Sequence, residues 1–62
     1  MKPKYESMVD KMIEALLENG CTSRKWAILG TQTAIDECDQ FFEGDFYFKA
    51  IDYCEKLHRD EC

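Results

Sequence analysis

The fold of this protein is decided by residues 21–45, which read CTSRKWAILGTQTAIDECDQFFEGD. Thr22 and Ser23 are typical residues for the start of a helix, and Gly44 is typical of the turn that ends one. The apolar side chains between them recur at helical spacing and cover more of the circumference than one neighbouring helix could bury. Such a helix needs two partners, so we expect a central helix over residues 23–43.

The segments on either side supply these partners. Before the central helix, apolar residues recur at i, i+3, i+4 and i+7, which predicts a helix over residues 4–19 that ends at Asn19-Gly20. After it, a similar apolar face predicts a helix over residues 46–60. Both connections are short. The 62 residues are therefore predicted to form one all-α domain, residues 1–62, built as a small antiparallel three-helix bundle.

The charge balance excludes several classes of function. The chain has 13 acidic and eight basic residues, a net charge of −5 and a pI near 4.6. This balance repels nucleic acid and anionic membranes, so neither is expected as a direct partner, and a larger protein with a basic surface is favoured. The N-terminus shows no secretory signal and no membrane span, which predicts a cytoplasmic protein, in the host cytoplasm if it is viral.

Carboxylates form two groups with a candidate binding role. On the first helix, carboxylates recur every four residues at Glu6, Asp10, Glu14 and Glu18. No lysine lies four residues beyond any of these positions. This row advances about 6 Å per step, which is close to the spacing of phosphates along a nucleic-acid strand. A second group, near the turn between the second and third helices, consists of Asp36, Asp39, Glu43 and Asp45. The pattern fits a solvated acidic face, and it also fits a decoy that occupies a nucleic-acid-binding groove.

Aromatic side chains around the second turn are too numerous for a small core. Three consecutive ones, at residues 46–48, span about 200° of a helix and cannot share one buried face. Phe48 falls on the polar side of the third helix, and Trp26 is similarly offset on the second. Because exposed aromatics surrounded by charge are typical of binding hot spots, we expect Trp26, Phe46 and Phe48 to anchor an interface.

Four cysteines leave several structural alternatives open. Without a secretory signal they are expected to be reduced and mostly buried, with Cys38 and Cys54 on facing apolar stripes. One alternative is a pair of disulfides, which spacing alone does not assign. Another is a zinc site with the ligands Cys21, Cys54, His58 and Cys62. Most zinc sites contain closely spaced cysteine pairs and this chain has none, so no cofactor is expected.

No pattern in the chain indicates catalysis. There is no glycine-rich phosphate loop, and three short helices leave little room for a pocket beside a nucleophilic cysteine. DNA recognition is disfavoured because acidic residues interrupt the basic ones on the outer face of the third helix. A small-anion site is a further alternative at the start of the second helix, where Ser23, Arg24 and Lys25 accompany free backbone N–H groups.

The small size, the acidic face and the surplus aromatics together predict a non-enzymatic protein-interaction module. We expect it to inhibit a nucleic-acid-handling protein, with carboxylates standing in for phosphates. Compact acidic inhibitors of this style, such as anti-CRISPR proteins and nuclease inhibitors, are made by phages and mobile elements, and the analogy rests on charge and size alone. The main alternative is a structural or self-associating helical module, stabilised by disulfides or zinc, that forms a homodimer.

Overall fold

Three α-helices in mutual contact make up the computed structural model, which describes residues 2–20 and 22–61. α1 spans Lys4–Glu18, α2 spans Arg24–Glu37 and α3 spans Phe46–Glu61, with a short 3₁₀ helix, Asp39–Phe41, before α3. No strand occurs among the described residues, so the predicted all-α three-helix bundle is confirmed. None of the helices in this described part is long and apolar enough to cross a membrane.

Both ends of α1 follow from local sequence. Pro3 stands just before the helix with a φ of −58°, where its missing N–H removes no helical hydrogen bond. At the other end the Asn19 side chain donates a hydrogen bond to the Ala15 carbonyl at 2.7 Å. Gly20 follows with a φ of +100°, which glycine adopts far more readily than other residues. The predicted limits of 4–19 therefore agree with the structure to within one residue.

α2 begins as predicted but ends earlier than predicted. The Ser23 hydroxyl accepts a hydrogen bond from the Trp26 backbone N–H at 3.3 Å, which caps the helix. The helix ends at Glu37 rather than at residue 43. Carboxylates crowd this end, and no basic residue in the last turn balances the negative pole of the helix dipole. A continued helix is therefore disfavoured electrostatically.

Packing of Phe42 gives a second reason for the early end of α2. Phe42 has an extended backbone, with φ −112° and ψ 127°, and its half-buried ring packs against the core. The ring also stacks on Phe46, with centroids 5.6 Å apart and planes 13° from parallel. Gly44 then takes the left-handed conformation that the sequence predicted, with a φ of +57°, and α3 begins two residues later.

The core is small and draws on all three helices. Its fully buried apolar residues are Val9, Ile13, Ala27, Ile28, Ile35, Ala50 and Cys54. Thr31 is also fully buried, which the sequence did not predict. The nearest group beside Gly30 is the Leu16 side chain. A Cβ at Gly30 would lie 3.1 Å from Leu16 Cδ1.

Candidate protein-interaction surface

The net negative charge of the protein is concentrated in residues 36–45, called the acidic segment below. This segment has five carboxylates and no basic residue, whereas the rest of the chain has eight acidic and eight basic residues. All five are exposed: Asp36, Glu37, Asp39, Glu43 and Asp45. Glu37 was missed as a site residue, although its place between Asp36 and Asp39 was a sufficient signal.

A hydrogen bond between α2 and α3 holds together the two sides of the acidic segment. The Tyr47 hydroxyl of α3 donates a hydrogen bond to Asp36 Oδ1 at the end of α2, at 2.5 Å. This bond, together with partial desolvation, raises the pKa of Tyr47 above its ordinary value, because the carboxylate favours the protonated phenol. The other four carboxylates lie between these two residues: Glu37 at the last position of α2, Asp39 in the 3₁₀ helix, and Glu43 and Asp45 on either side of Gly44.

The acidic row of α1 is not a set of equivalent carboxylates. Asp10 was expected to lack a basic partner, but its Oδ2 accepts a hydrogen bond from Lys2 Nζ at 2.7 Å, and its Oδ1 accepts one from the Tyr53 hydroxyl at 3.0 Å. Partial burial raises the pKa of Asp10, but these two hydrogen bonds and the positive charges of Lys2 and Arg24 together outweigh it, and the pKa lies below its ordinary value. Glu6 is half-buried, and only Glu14 and Glu18 of the row are exposed.

The three predicted aromatic anchors differ in exposure. Phe48 is 68% exposed and Trp26 is 62% exposed, as the sequence predicted. Phe46 is half-buried and stacks on Phe42, so much of its surface is already used inside the bundle. Phe48 lies next to the acidic segment, since its ring meets that of Tyr47 edge to face with centroids 5.3 Å apart. Trp26 lies in the first turn of α2, at the far end of that helix.

Two shallow surface depressions beside the acidic segment share Ile51, and we call them together the α2–α3 groove. One depression lies between α2 and α3, and the other lies along α3 from Asp45 to Glu55. The apolar lining of the groove comes from Leu29, Tyr47, Phe48 and Ile51. Its carboxylates are Asp36, Asp45, Asp52 and Glu55, and its one basic residue is Lys49. The sequence did not reveal this groove, because Ile51 follows the apolar pattern of a core residue and because a depression between two helices depends on how they pack.

The cysteines described by the structure are free thiols. Cys54 is buried, as predicted, and desolvation together with the nearby charge of Glu55 raises its pKa to about 11. A thiol with this pKa is protonated at neutral pH and is a poor nucleophile. Cys38 was expected to be buried and is exposed, because α2 ends there and the chain turns. A disulfide between Cys38 and Cys54 is therefore contradicted.

The proposed metal and anion sites receive little support. Two of the four zinc ligands, Cys21 and Cys62, lie outside the described residues, and residues 2–20 and 22–61 contain no group of three residues that could hold a metal ion. At the start of α2, the Ser23 hydroxyl already accepts the Trp26 N–H. Arg24 Nε lies 3.9 Å from Glu61 Oε1 of α3, so a carboxylate of the protein itself is close to the anion site.

No family model, no curated protein and no solved structure matches this chain. The chemistry of the surface is therefore the basis for assigning a function. An exposed run of carboxylates attracts cations, and the exposed Phe48 ring and the adjoining groove offer apolar area for burial. Together they place negative charge beside exposed apolar area on one side of the bundle.

Proposed function

We propose that this protein is a non-enzymatic interaction module that binds a basic surface of a larger protein through the acidic segment. The observation that carries the proposal is the concentration of the whole net charge in residues 36–45, beside the exposed Phe48. A patch of one sign steers a complementary patch toward it and accelerates association. Phe48 then supplies an aromatic anchor of the kind that dominates binding energy in many interfaces.

The partner that fits best is a nucleic-acid-handling protein, which this module would inhibit. Proteins hold DNA and RNA mainly with lysine and arginine side chains that neutralise phosphates. The exposed carboxylates of the acidic segment compete for the same cations, and Phe48 offers a flat ring where a base would otherwise stack. Inhibitors of nucleases or CRISPR effectors, carried by phages or mobile elements, are the class that this combination matches.

Affinity capture from a host-cell lysate tests the proposal. The bait is the wild-type protein, and the test variant carries Asp39→Asn, Glu43→Gln and Asp45→Asn, which spare the Asp36–Tyr47 hydrogen bond. A control variant with Glu14→Gln, Glu18→Gln and Asp60→Asn changes the net charge equally at other exposed positions. We expect the wild type and the control to capture a nucleic-acid-binding protein that high salt or added DNA releases, and the test variant to lose it.

Two outcomes would count against the proposal. Equal capture by the test and control variants would remove the acidic segment from the interface. Capture that salt and DNA leave unchanged would show that the partner's nucleic-acid site is not involved. An activity assay on the captured protein then measures inhibition directly, because the proposal requires that added wild-type protein slow its reaction on nucleic acid.

Self-association is the second candidate function, and a specific observation favours it. Trp26 is 62% exposed and Leu16 is 36% exposed, and Leu16 lies over Gly30, one helical turn beyond Trp26 on α2. Two copies that met through this surface would bury both apolar side chains. Sedimentation equilibrium distinguishes the candidates: a dimer that Trp26→Ala dissociates supports self-association, and a monomer at high concentration contradicts it.

A further inference from the structure

We propose that the α2–α3 groove binds an amphipathic helix of the partner, with lysine or arginine along both edges of that helix. This inference rests on the proposed function and adds the form in which the partner presents its basic surface. The groove is continuous with the acidic segment, because Asp36 and Asp45 belong to both. One bound element can therefore touch the groove and the acidic segment together.

The apolar floor of the groove is available for a further helix. Its lining residues come from α2, from α3 and from Asp45 just before α3, and none comes from α1, which contacts both helices elsewhere. Phe48 is exposed and Leu29 is half-buried, so both keep apolar surface that a ligand would cover. Two adjacent helices offer a groove into which the side-chain ridge of a third helix fits, a recurring mode of peptide recognition.

The charges around the floor determine which helix fits. Asp36 stands on the α2 side, and Asp52 and Glu55 stand on the α3 side, so carboxylates border the apolar floor on both sides. A helix with leucine-like residues on one face and cations on both edges would place apolar against apolar and positive against negative. A nucleic-acid strand or an acidic helix would meet repulsion from the same carboxylates.

A second copy of this chain fits the groove poorly. In a two-fold symmetric dimer each surface meets its own copy, so the carboxylates around one groove would face the same carboxylates around the other. Like charges in contact are destabilising, and Lys49 is the one basic residue in the lining. Charge complementarity thus selects a cationic partner helix over self-association through this groove.

Binding of two synthetic peptides tests the inference. The first peptide is about four helical turns long, with leucines at i, i+3, i+4 and i+7 and lysines beside them. The second has the same composition in scrambled order, so it has the same charge without an apolar face. Calorimetry measures affinity, and amide NMR shifts locate the site. We expect the patterned peptide to bind about tenfold more tightly, with the largest shifts at Leu29, Phe48 and Ile51.

Variants of the protein make the test specific to the groove. The double variant Leu29→Ser and Phe48→Ser removes apolar floor without touching a fully buried residue. It should lower the affinity for the patterned peptide about tenfold and leave the affinity for the scrambled peptide unchanged. Trp26→Ser is the matched control, because it removes an exposed apolar side chain that does not line the groove, and it should change neither affinity. Circular dichroism confirms that each variant keeps its helices.

Three results would overturn the inference. Equal affinity for both peptides, with shifts confined to residues 36–45, would show that charge alone acts there and would leave the proposed function standing. Groove shifts that grow with protein concentration and without peptide would assign the groove to a second copy. Absence of binding by either peptide would also exclude a cationic helix. If the patterned peptide binds tightly but the wild-type protein captures no nucleic-acid-binding protein from the lysate, only the proposed function is contradicted.

Discussion

Tyr53 of α3 donates a hydrogen bond to Asp10 of α1 across 3.0 Å, while Lys2 donates to the other oxygen of the same carboxylate across 2.7 Å. The Tyr53 ring also meets Tyr5 edge to face, with centroids 6.1 Å apart. One carboxylate thus joins the N-terminal segment, the first helix and the third helix. Asp10 connects α1 to α3, and because both of its carboxylate oxygens already accept hydrogen bonds, it is less available to a binding partner.

Replacing Asp10 with asparagine should lower the free energy of unfolding by about 0.5–1 kcal/mol at neutral pH. The pKa of Asp10 is lowered in the folded state, so its stabilising contribution is present above the ordinary value of 3.8 and disappears as the pH falls through the folded-state pKa. Urea unfolding at neutral pH and well below pH 3 measures the difference. A wild-type advantage that stays constant with pH would contradict this account, and exposed Glu14→Gln is the control.

Replacing Thr31 with valine should stabilise the protein. Thr31 is fully buried, and its Oγ1 has no hydrogen-bond partner among the described residues. A buried hydroxyl without a partner costs about 1 kcal/mol or more, and valine has nearly the same shape without it. We expect a gain of about 1 kcal/mol in thermal or urea unfolding. Thr31→Ser keeps the hydroxyl and loses the methyl group, so it should be less stable than the wild type.

Replacing Gly30 with alanine has two opposing effects on stability. Alanine favours the helix by about 1 kcal/mol over glycine, but the new Cβ would lie 3.1 Å from Leu16 Cδ1. Leu16 is partly exposed and its end can move, so the single variant should gain less than about 1 kcal/mol. In a Leu16→Ala background the same change should give the full gain. If a double-mutant cycle shows no coupling energy between Gly30→Ala and Leu16→Ala, the contact between these two positions is refuted.

The two described cysteines should differ sharply in reactivity. Cys38 is exposed, whereas Cys54 is buried and its pKa is raised from 9.0 to about 11. Relative to a thiol of pKa 9.0, this shift leaves about a hundredfold less thiolate on Cys54 at neutral pH. A short pulse of iodoacetamide followed by peptide mapping should label Cys38 and spare Cys54. In concentrated urea both should react alike, and equal labelling of the folded protein would contradict the structure.

Local signals in the sequence were enough to predict much of the fold. The limits of α1 follow from Asn19-Gly20, the start of α2 follows from Ser23, and the turn follows from Gly44, because these residues act through their own backbone and side chain. The early end of α2 was not predictable in this way. Phe42 continues the seven-residue spacing from Ile35, and only its packing with Phe46 places it outside the helix.

The candidate site was predictable in its charges more than in its shape. Four carboxylates of the acidic segment and the exposure of Phe48 follow from spacing along the chain. The partners of Asp10 do not, because Tyr53 is 43 residues away and is brought close only by the packing of α3 on α1. Thr31 lies at a core position of the helical repeat between Ile28 and Ile35, but the polarity of threonine conceals it.

The unequal division of charge along the chain also governs how the molecules behave toward one another. The residues outside the acidic segment carry equal numbers of acidic and basic side chains. A partner that neutralises the five carboxylates of residues 36–45 therefore brings the net charge of the protein to zero. The electrostatic repulsion between protein molecules, which keeps them in solution, would then be lost on binding. Mixtures near equivalence in dilute buffer should turn turbid, and they should clear again when added salt separates the two proteins.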